Sequence, residues 1–162
     1  MIVTVLADTH LERDIGKKLP GIVLRAIDEA DVVLHAGDIS SAIAFAELSD
    51  RNRIVAVLGN NDRDLVAMLP ESRTIDLEGL QIAMVHNSGA REGRAARLHR
   101  LFPEADIVIF GHSHVPWDES GLAGQLLFNP GSPTQRRGEP QHSFGRLVIH
   151  DGALVEHRID RF

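Results

Sequence analysis

Seven side chains of the kinds that hold divalent cations, Asp8, His10, Asp38, Asn60, His86, His112 and His114, recur along the chain, each just past a short apolar run. Hard or borderline cations favour oxygen and imidazole donors, and seven donors are about what two adjacent metals need when one group bridges them. Asp38 is the candidate bridge. The donors fall into five clusters: Asp8-Thr9-His10, Gly37-Asp38, Gly59-Asn60-Asn61-Asp62, His86-Asn87 and His112-Ser113-His114. Glycine stands directly before Asp38, Asn60 and His112, where a missing Cβ permits the sharp turn that aims the next side chain at a shared point. Taken alone, each cluster reads as well as a helix cap or turn. A histidine pair two residues apart at a strand end also fits two solvent-exposed imidazoles. The repetition of one placement, the end of a predicted buried strand, is what points to convergence.

The elements that must position these groups follow from the pattern of apolar residues. Ile2 to Ala7 is a β-branched run that reads as a fully buried strand, and Asp31 to Leu34 and Arg53 to Leu58 repeat the form. Between them, Pro20 to Ala30 and Ser40 to Asp50 have helical spacing, the first opened by proline and the second by a capping serine. Such alternation calls for parallel strands joined by right-handed crossovers, a topology that collects ligands beyond the carboxyl ends of the strands. Further on, Arg73 to Leu77 and Gln81 to His86 flank the tight connection Glu78-Gly79-Leu80 as a hairpin. Arg91 to Leu101 is predicted helical, closed by Pro103, and Asp106 to Phe110 is another buried strand. Leu122 to Phe128, Gly145 to His150 and Ala153 to Ile159 are expected to form a second sheet, the last two joined at Asp151-Gly152.

Composition narrows the classes. A chain of 162 residues with 43% hydrophobic and 25% charged residues suits one folded domain, and neither a long linker nor a solenoid repeat divides it. The net charge of -6 disfavours bulk nucleic-acid binding, while leaving a local cationic centre free to attract one phosphate group. Without cysteine there is no thiolate zinc site. The apolar start, Met1 to Ala7, is too short for a membrane span and lacks a preceding basic region, so a cytoplasmic protein is expected.

The order Asp-x-His, Gly-Asp, Gly-Asn-x-Asp, His, then Gly-His-x-His resembles the calcineurin-like metallophosphoesterase superfamily, in particular its small bacterial and archaeal phosphodiesterase branch. Asn129-Pro130-Gly131-Ser132-Pro133 resembles the loop typical of that branch. The resemblance spans nearly the whole chain and implies an α/β fold, a four-layer αββα sandwich of two mixed sheets flanked by helices, with the site at its rim. It also implies two divalent metal ions, one taking Asp8, His10, Asp38 and His114, the other Asp38, Asn60, His86 and His112. Manganese is the expected metal, with iron, zinc, cobalt, nickel and magnesium as alternatives. Where many members carry a histidine after the donor asparagine, this chain has Asn61, which can donate hydrogen bonds to a phosphate oxygen but cannot protonate a leaving group.

The expected reaction is therefore hydrolysis of a small phosphate ester, a diester first, by in-line attack of a metal-bridging hydroxide, with Asp38 and Asn61 as catalytic residues. A phosphomonoesterase with the same site and a non-catalytic metal-binding interaction scaffold are the alternatives. Arg136 and Arg137 are candidates for binding the substrate phosphate, although adjacent loop arginines are commonly just solvated. His35 is either a support for the centre or a core histidine, and His99, His142, His150 and His157 read as surface residues. Trp117 either lines the substrate pocket or packs under a loop. A homo-oligomer is compatible with the sequence.

Overall fold

The computed structural model describes all 162 residues. Strand β1 (Ile2–Leu6) is buried on both faces, and its side chains alternate between two cores as the period of a strand requires. Val3 and Val5 join a cluster with Leu34, Ile82, Met84, Ile107, Ile109, Phe128 and Leu147, the core between two sheets. Leu6, on the opposite face, packs with Ile15, Leu19, Val23, Ile27, Ala44 and Leu48, which line α1 (Ile15–Lys18), α2 (Gly21–Glu29), α3 (Ala42–Arg51) and the segments between them. Fully burying one such aliphatic side chain stabilises the fold by about 1.5 to 3 kcal/mol, so this double-sided strand anchors the structure.

Strands β2 (Val32–His35) and β3 (Ile54–Ala56) lie parallel to β1, as the strand-helix alternation predicts. Helix α3 starts one residue later than the predicted span from Ser40, capped by Ser41, whose hydroxyl accepts from the Ala44 N–H at 3.1 Å. The hairpin of β4 (Ser72–Leu77) and β5 (Leu80–Val85) turns at Glu78 and Gly79, both at positive φ. Helix α4 (Arg94–Leu101) is shorter than its predicted span and begins after Gly93. It covers the outer face of the second sheet through Leu98 against Ala83, Val108 and Phe110. Beyond it come β6 (Ile107–Ile109), β7 (Trp117–Ser120), β8 (Leu126–Asn129), β9 (Ser143–His150) and β10 (Ala153–Arg161). No helix is long and apolar enough to cross a membrane.

The sheets run β10-β9-β1-β2-β3 and β4-β5-β6-β8-β7, each five-stranded and mixed, with helices outside both. This is the expected four-layer αββα sandwich, with one correction. The predicted strands Gly145 to His150 and Ala153 to Ile159 do not join the second sheet. They form the hairpin β9-β10 that pairs antiparallel with the free edge of β1, Val3 opposite Leu147. The predicted strand from Leu122 is also shortened. Its first residues make a 3-10 turn, Leu122–Gly124, because Ala123 and Gly124 both adopt positive φ, and pairing starts only at Leu126.

Candidate functional site

All seven candidate donors sit at carboxyl ends of parallel strands and meet at one rim of the sandwich. Asp8 and His10 follow β1, Asp38 follows β2, Asn60 follows β3, His86 follows β5, and His112 and His114 follow β6. The first sheet thus supplies four of them and the second sheet three. Five have left-handed backbone: Asp8 (φ 53), His10 (45), Asp38 (60), His112 (70) and His114 (59). Such conformations cost roughly 1 kcal/mol or more each for a residue with a Cβ, and they persist only where the surroundings enforce them. Here the enforcement includes backbone bonds from Asp8 N–H to Gly37 O and from His10 N–H to Asp38 O, 3.0 and 2.9 Å.

Gly37, at φ 88, turns the chain before Asp38 as expected, whereas Gly59 and Gly111 have no positive φ and His112 turns at its own residue. At these two positions glycine is needed instead for close approach. A Cβ on Gly59 would lie 2.1 Å from Asp38 Oδ1, and one on Gly111 2.9 Å from Asp8 Oδ2.

The donors form two groups joined by Asp38. In one, His10 Nε2 and His114 Nε2 are 3.2 Å apart, and His114 Nε2 is 3.4 Å from Asp8 Oδ1. In the other, Asn60 Oδ1 lies 3.2 Å from His86 Nε2 and 2.9 Å from His112 Nδ1. Asp38 Oδ2 stands between the groups, 3.8 Å from His10 Nε2 and 3.5 Å from His86 Nε2. Side-chain atoms of Asp8, His10 and His114, and of Asp8, Asp38 and His86, converge closely enough to share a cation.

The tautomers suit that role. His86 Nδ1 donates to Ala36 O at 2.7 Å and His114 Nδ1 to Gln135 O at 2.6 Å, which turns each Nε2 towards the centre, where it offers a lone pair whenever the ring is neutral. Asp8 Oδ1 is buried without a hydrogen-bond partner, 3.4 Å from His114 Nε2, so that with a neutral His114 one acceptor faces another. Only a proton or a cation satisfies such a set, and the donor chemistry fits a divalent metal.

Electrostatics follow the same geometry. Burial pushes Asp8 up to about 7, reinforced by the nearby Asp38 charge and opposed by His86. Burial also acts on Asp38, but hydrogen bonds from His86 and from the Asn61 backbone and side chain outweigh it and hold the carboxyl well below the usual range. Burial lowers His10 and His112, and takes His114 down to about 4, which keeps these imidazoles neutral, the form that binds metal. For His86, burial is outweighed by Asp38 and by the bond to Ala36, and its affinity for a proton is raised.

Asn61 is turned onto Asp38: its backbone N–H donates to Oδ1 at 2.8 Å and its side-chain amide to Oδ2 at 2.6 Å. Arg137 donates to His112 O at 3.3 Å, and its charge is felt at Asp8, His10, His112 and His114. Its neighbour Arg136 donates to Pro140 O within its own loop. His35 is a core histidine, fully buried with Nε2 2.9 Å from Thr9 Oγ1.

Two supports hold the rim, and for Asp62 the sequence leaves open whether it orients its neighbours or caps the next helix. Asp62 makes no side-chain cap for the following turn. It instead accepts the N–H groups of Asp38, Ser40 and Gly59 at 2.9, 2.7 and 2.7 Å, locking the loops after β2 and β3 together. The Asn129-Pro130-Gly131-Ser132-Pro133 loop acts as a clasp: Ser132 Oγ donates to Asp8 O at 2.7 Å, and Asn129 Nδ2 donates to Gly111 O at 3.1 Å.

Comparison with known proteins agrees with this geometry. A model of the calcineurin-like phosphoesterase superfamily domain matches residues 1–152. A probable metallophosphoesterase of Methanothermobacter thermautotrophicus is 34% identical over 139 residues, 85% of this chain and 80% of the relative. One from Methanocaldococcus jannaschii is 32% identical over 154 residues, 93% of this chain and 77% of the relative. Among solved structures, Vps29 of Entamoeba histolytica in complex with zinc superposes with a TM-score of 0.76 at 25% identity, covering 100% of this chain and 98% of that one.

Proposed function

Because the chain belongs to the calcineurin-like phosphoesterase superfamily, we propose that it is a cytoplasmic phosphodiesterase that works with two divalent metal ions, manganese first among them. The observation that carries the dinuclear reading is the position of Asp38 Oδ2 between the two donor groups. One ion would be held by Asp8, His10, Asp38 and His114, the other by Asp38, Asn60, His86 and His112. When bound, the metals supply Lewis acidity, which makes water a competent nucleophile at neutral pH and neutralises charge developing on the phosphoryl oxygens.

The protein's own groups prepare that chemistry. Asn61 keeps the Asp38 carboxylate ionised and oriented with two N–H bonds, and the second hydrogen of its amide can donate to a phosphate oxygen. Arg137 places a permanent cation at the rim on the side of His112, suited to a non-bridging phosphate oxygen. Arg136 braces the loop that presents it. As an amide cannot act as a general acid, Asn61 leaves departure of the second ester group to its own basicity, which favours diesters with good leaving groups.

The test is hydrolysis of an activated aryl phosphodiester, and of the monoester with the same leaving group, by metal-stripped protein before and after manganese addition. The expected result is metal-restored turnover that is faster on the diester, abolished in Asp38→Ala with its fold intact by circular dichroism. Faster monoester turnover would convert the assignment to a phosphomonoesterase. Two bound ions without turnover on either ester would make the chain a metal-binding scaffold.

A further inference from the structure

On the outer face of the second sheet, beyond the candidate metal centre, a cleft of about 340 Å³ opens between α4 and β7. Its wall is unusual in charge. Arg94, the first residue of α4, is only 9% exposed, and its Nε has no hydrogen-bond partner. Its guanidinium carbon lies 4.6 Å from the ring centre of Trp117 and 5.0 Å from that of Phe110, and Arg91 Cζ lies 4.9 Å from the same indole. Trp117 Nε1 is likewise buried without a partner. Arg97, one turn further along, is committed to the carbonyls of Ser88, Ala90 and Glu92, but adds to the local positive field. Burial first, and then Arg97 and Arg91, hold the Arg94 guanidinium below its ordinary pKa. The one acid in the lining is the exposed Glu119.

A buried cation against an aromatic face gains about 2 kcal/mol when desolvated, but leaving its N–H donors unmet costs a comparable amount per group. Packing alone does not explain two guanidiniums gathered on one indole beside an open cleft. An anion in the cleft would pair with both. Two guanidiniums outweigh the single charge of Glu119 at the rim, and a phosphate offers more acceptor oxygens to their forked donors than a carboxylate does. Leu122, Leu127 and the Trp117 ring add an apolar wall for whatever the phosphate is attached to. None of these residues belongs to the metal-donor set. We propose that the Arg91, Arg94 and Trp117 cleft is a second binding site, distinct from the metal centre, for a phosphate monoester or free phosphate.

The protein reports on this cleft directly, because Trp117 is its single tryptophan and there is no tyrosine. Trp117 emission would be followed while the full chain is titrated with inorganic phosphate, adenosine monophosphate or adenosine at constant ionic strength, with chloride as control. The expected result is a saturable change with phosphate and the monophosphate but not with adenosine or chloride. Affinity should weaken at least about tenfold in Arg91→Ala, a substitution at an exposed loop residue, and stay unchanged in folded Asp38→Ala. Tighter binding of the monophosphate than of phosphate assigns a monoester ligand, and equal binding assigns free phosphate. No saturable change, an equal response to adenosine, an unaltered Arg91→Ala titration, or loss of the signal in folded Asp38→Ala would each overturn the proposal.

Discussion

Asp62 touches none of the histidines at the rim, yet with a carboxylate 1% exposed it receives three backbone N–H groups from the loops that carry Asp38 and Asn60. Hydrogen bonds to a charged acceptor contribute about 1.5 to 3 kcal/mol each, and supports of this kind commonly govern metal affinity by ten- to a hundredfold. Asp62→Ala should therefore lower unfolding free energy by about 3 kcal/mol or more in urea titrations. Calorimetric titration should show manganese binding at least about tenfold weaker. A variant of unchanged stability would mean that these loops hold their shape without the carboxylate. At this scale the sequence was most informative about residue type. Glycine-punctuated strand ends exposed Asp38, Asn60 and His112 as candidates because the punctuation is local. The left-handed backbone of Asp8 and His10 was invisible, since it is imposed by bonds to Gly37 and Asp38, nearly thirty residues away in sequence. The choice for Asp62 was open for a related reason: an aspartate after Asn-Asn can orient its neighbours or cap a helix equally well until the partners of its oxygens are known.

Strand β2 carries its own titration at His35. Burial, aided by the nearby His86, lowers its pKa from 6.5 to about 3, so the folded chain refuses a proton that the unfolded chain accepts near 6.5. The sign follows directly: the full contribution to stability is present above pH 6.5 and is lost progressively as pH falls through 6.5 towards 3. The loss approaches about 1.4 kcal/mol for each unit over that range. Denaturation curves at pH 7.5 and 5, run on the wild type and on His35→Leu, should show a smaller acid-induced loss in the variant. Parallel losses would place the acid sensitivity elsewhere.

Elements were legible where pattern and punctuation agreed, as in β1, α2, α3 and both hairpins. The turn at Asp151 and Gly152, φ 50 and 75, was plain in the sequence, whereas the sheet joined by β9 was not. Alternating apolar residues suit either sheet, and the choice is made by the open edge of β1, which has no local signature. Strand β7 escaped notice because Trp-Asp-Glu-Ser has little strand propensity and is held by pairing with β8.

Across the whole molecule the candidate centre spans the seam between the sheets. Asp8, His10, Asp38 and Asn60 project from the first sheet, His86, His112 and His114 from the second. A metal held by this set would fasten the layers at one rim as the apolar side chains do inside. Metal at a hundredfold excess over its dissociation constant stabilises by about 2.7 kcal/mol, which for a chain of this size is a rise in Tm of roughly 5 to 10 °C. Thermal melts with manganese and with chelator should differ by that order in the wild type and hardly at all in Asp38→Ala. An equal rise in the variant would remove Asp38 from the binding set.

Strand β1, the element that bears Asp8, lies inside its sheet between β2 and β9, and β9 begins only at Ser143. All seven donors have thus been synthesised by residue 114, but the edge of β1 stays bare until the last strands of the sheet arrive. During translation the donors are present before β9 closes the second edge of β1, the strand that bears Asp8. A chain truncated before Ser143 keeps every donor but loses the β9 pairing on one edge of β1, and is expected to bind manganese more weakly than the full chain in calorimetric titration.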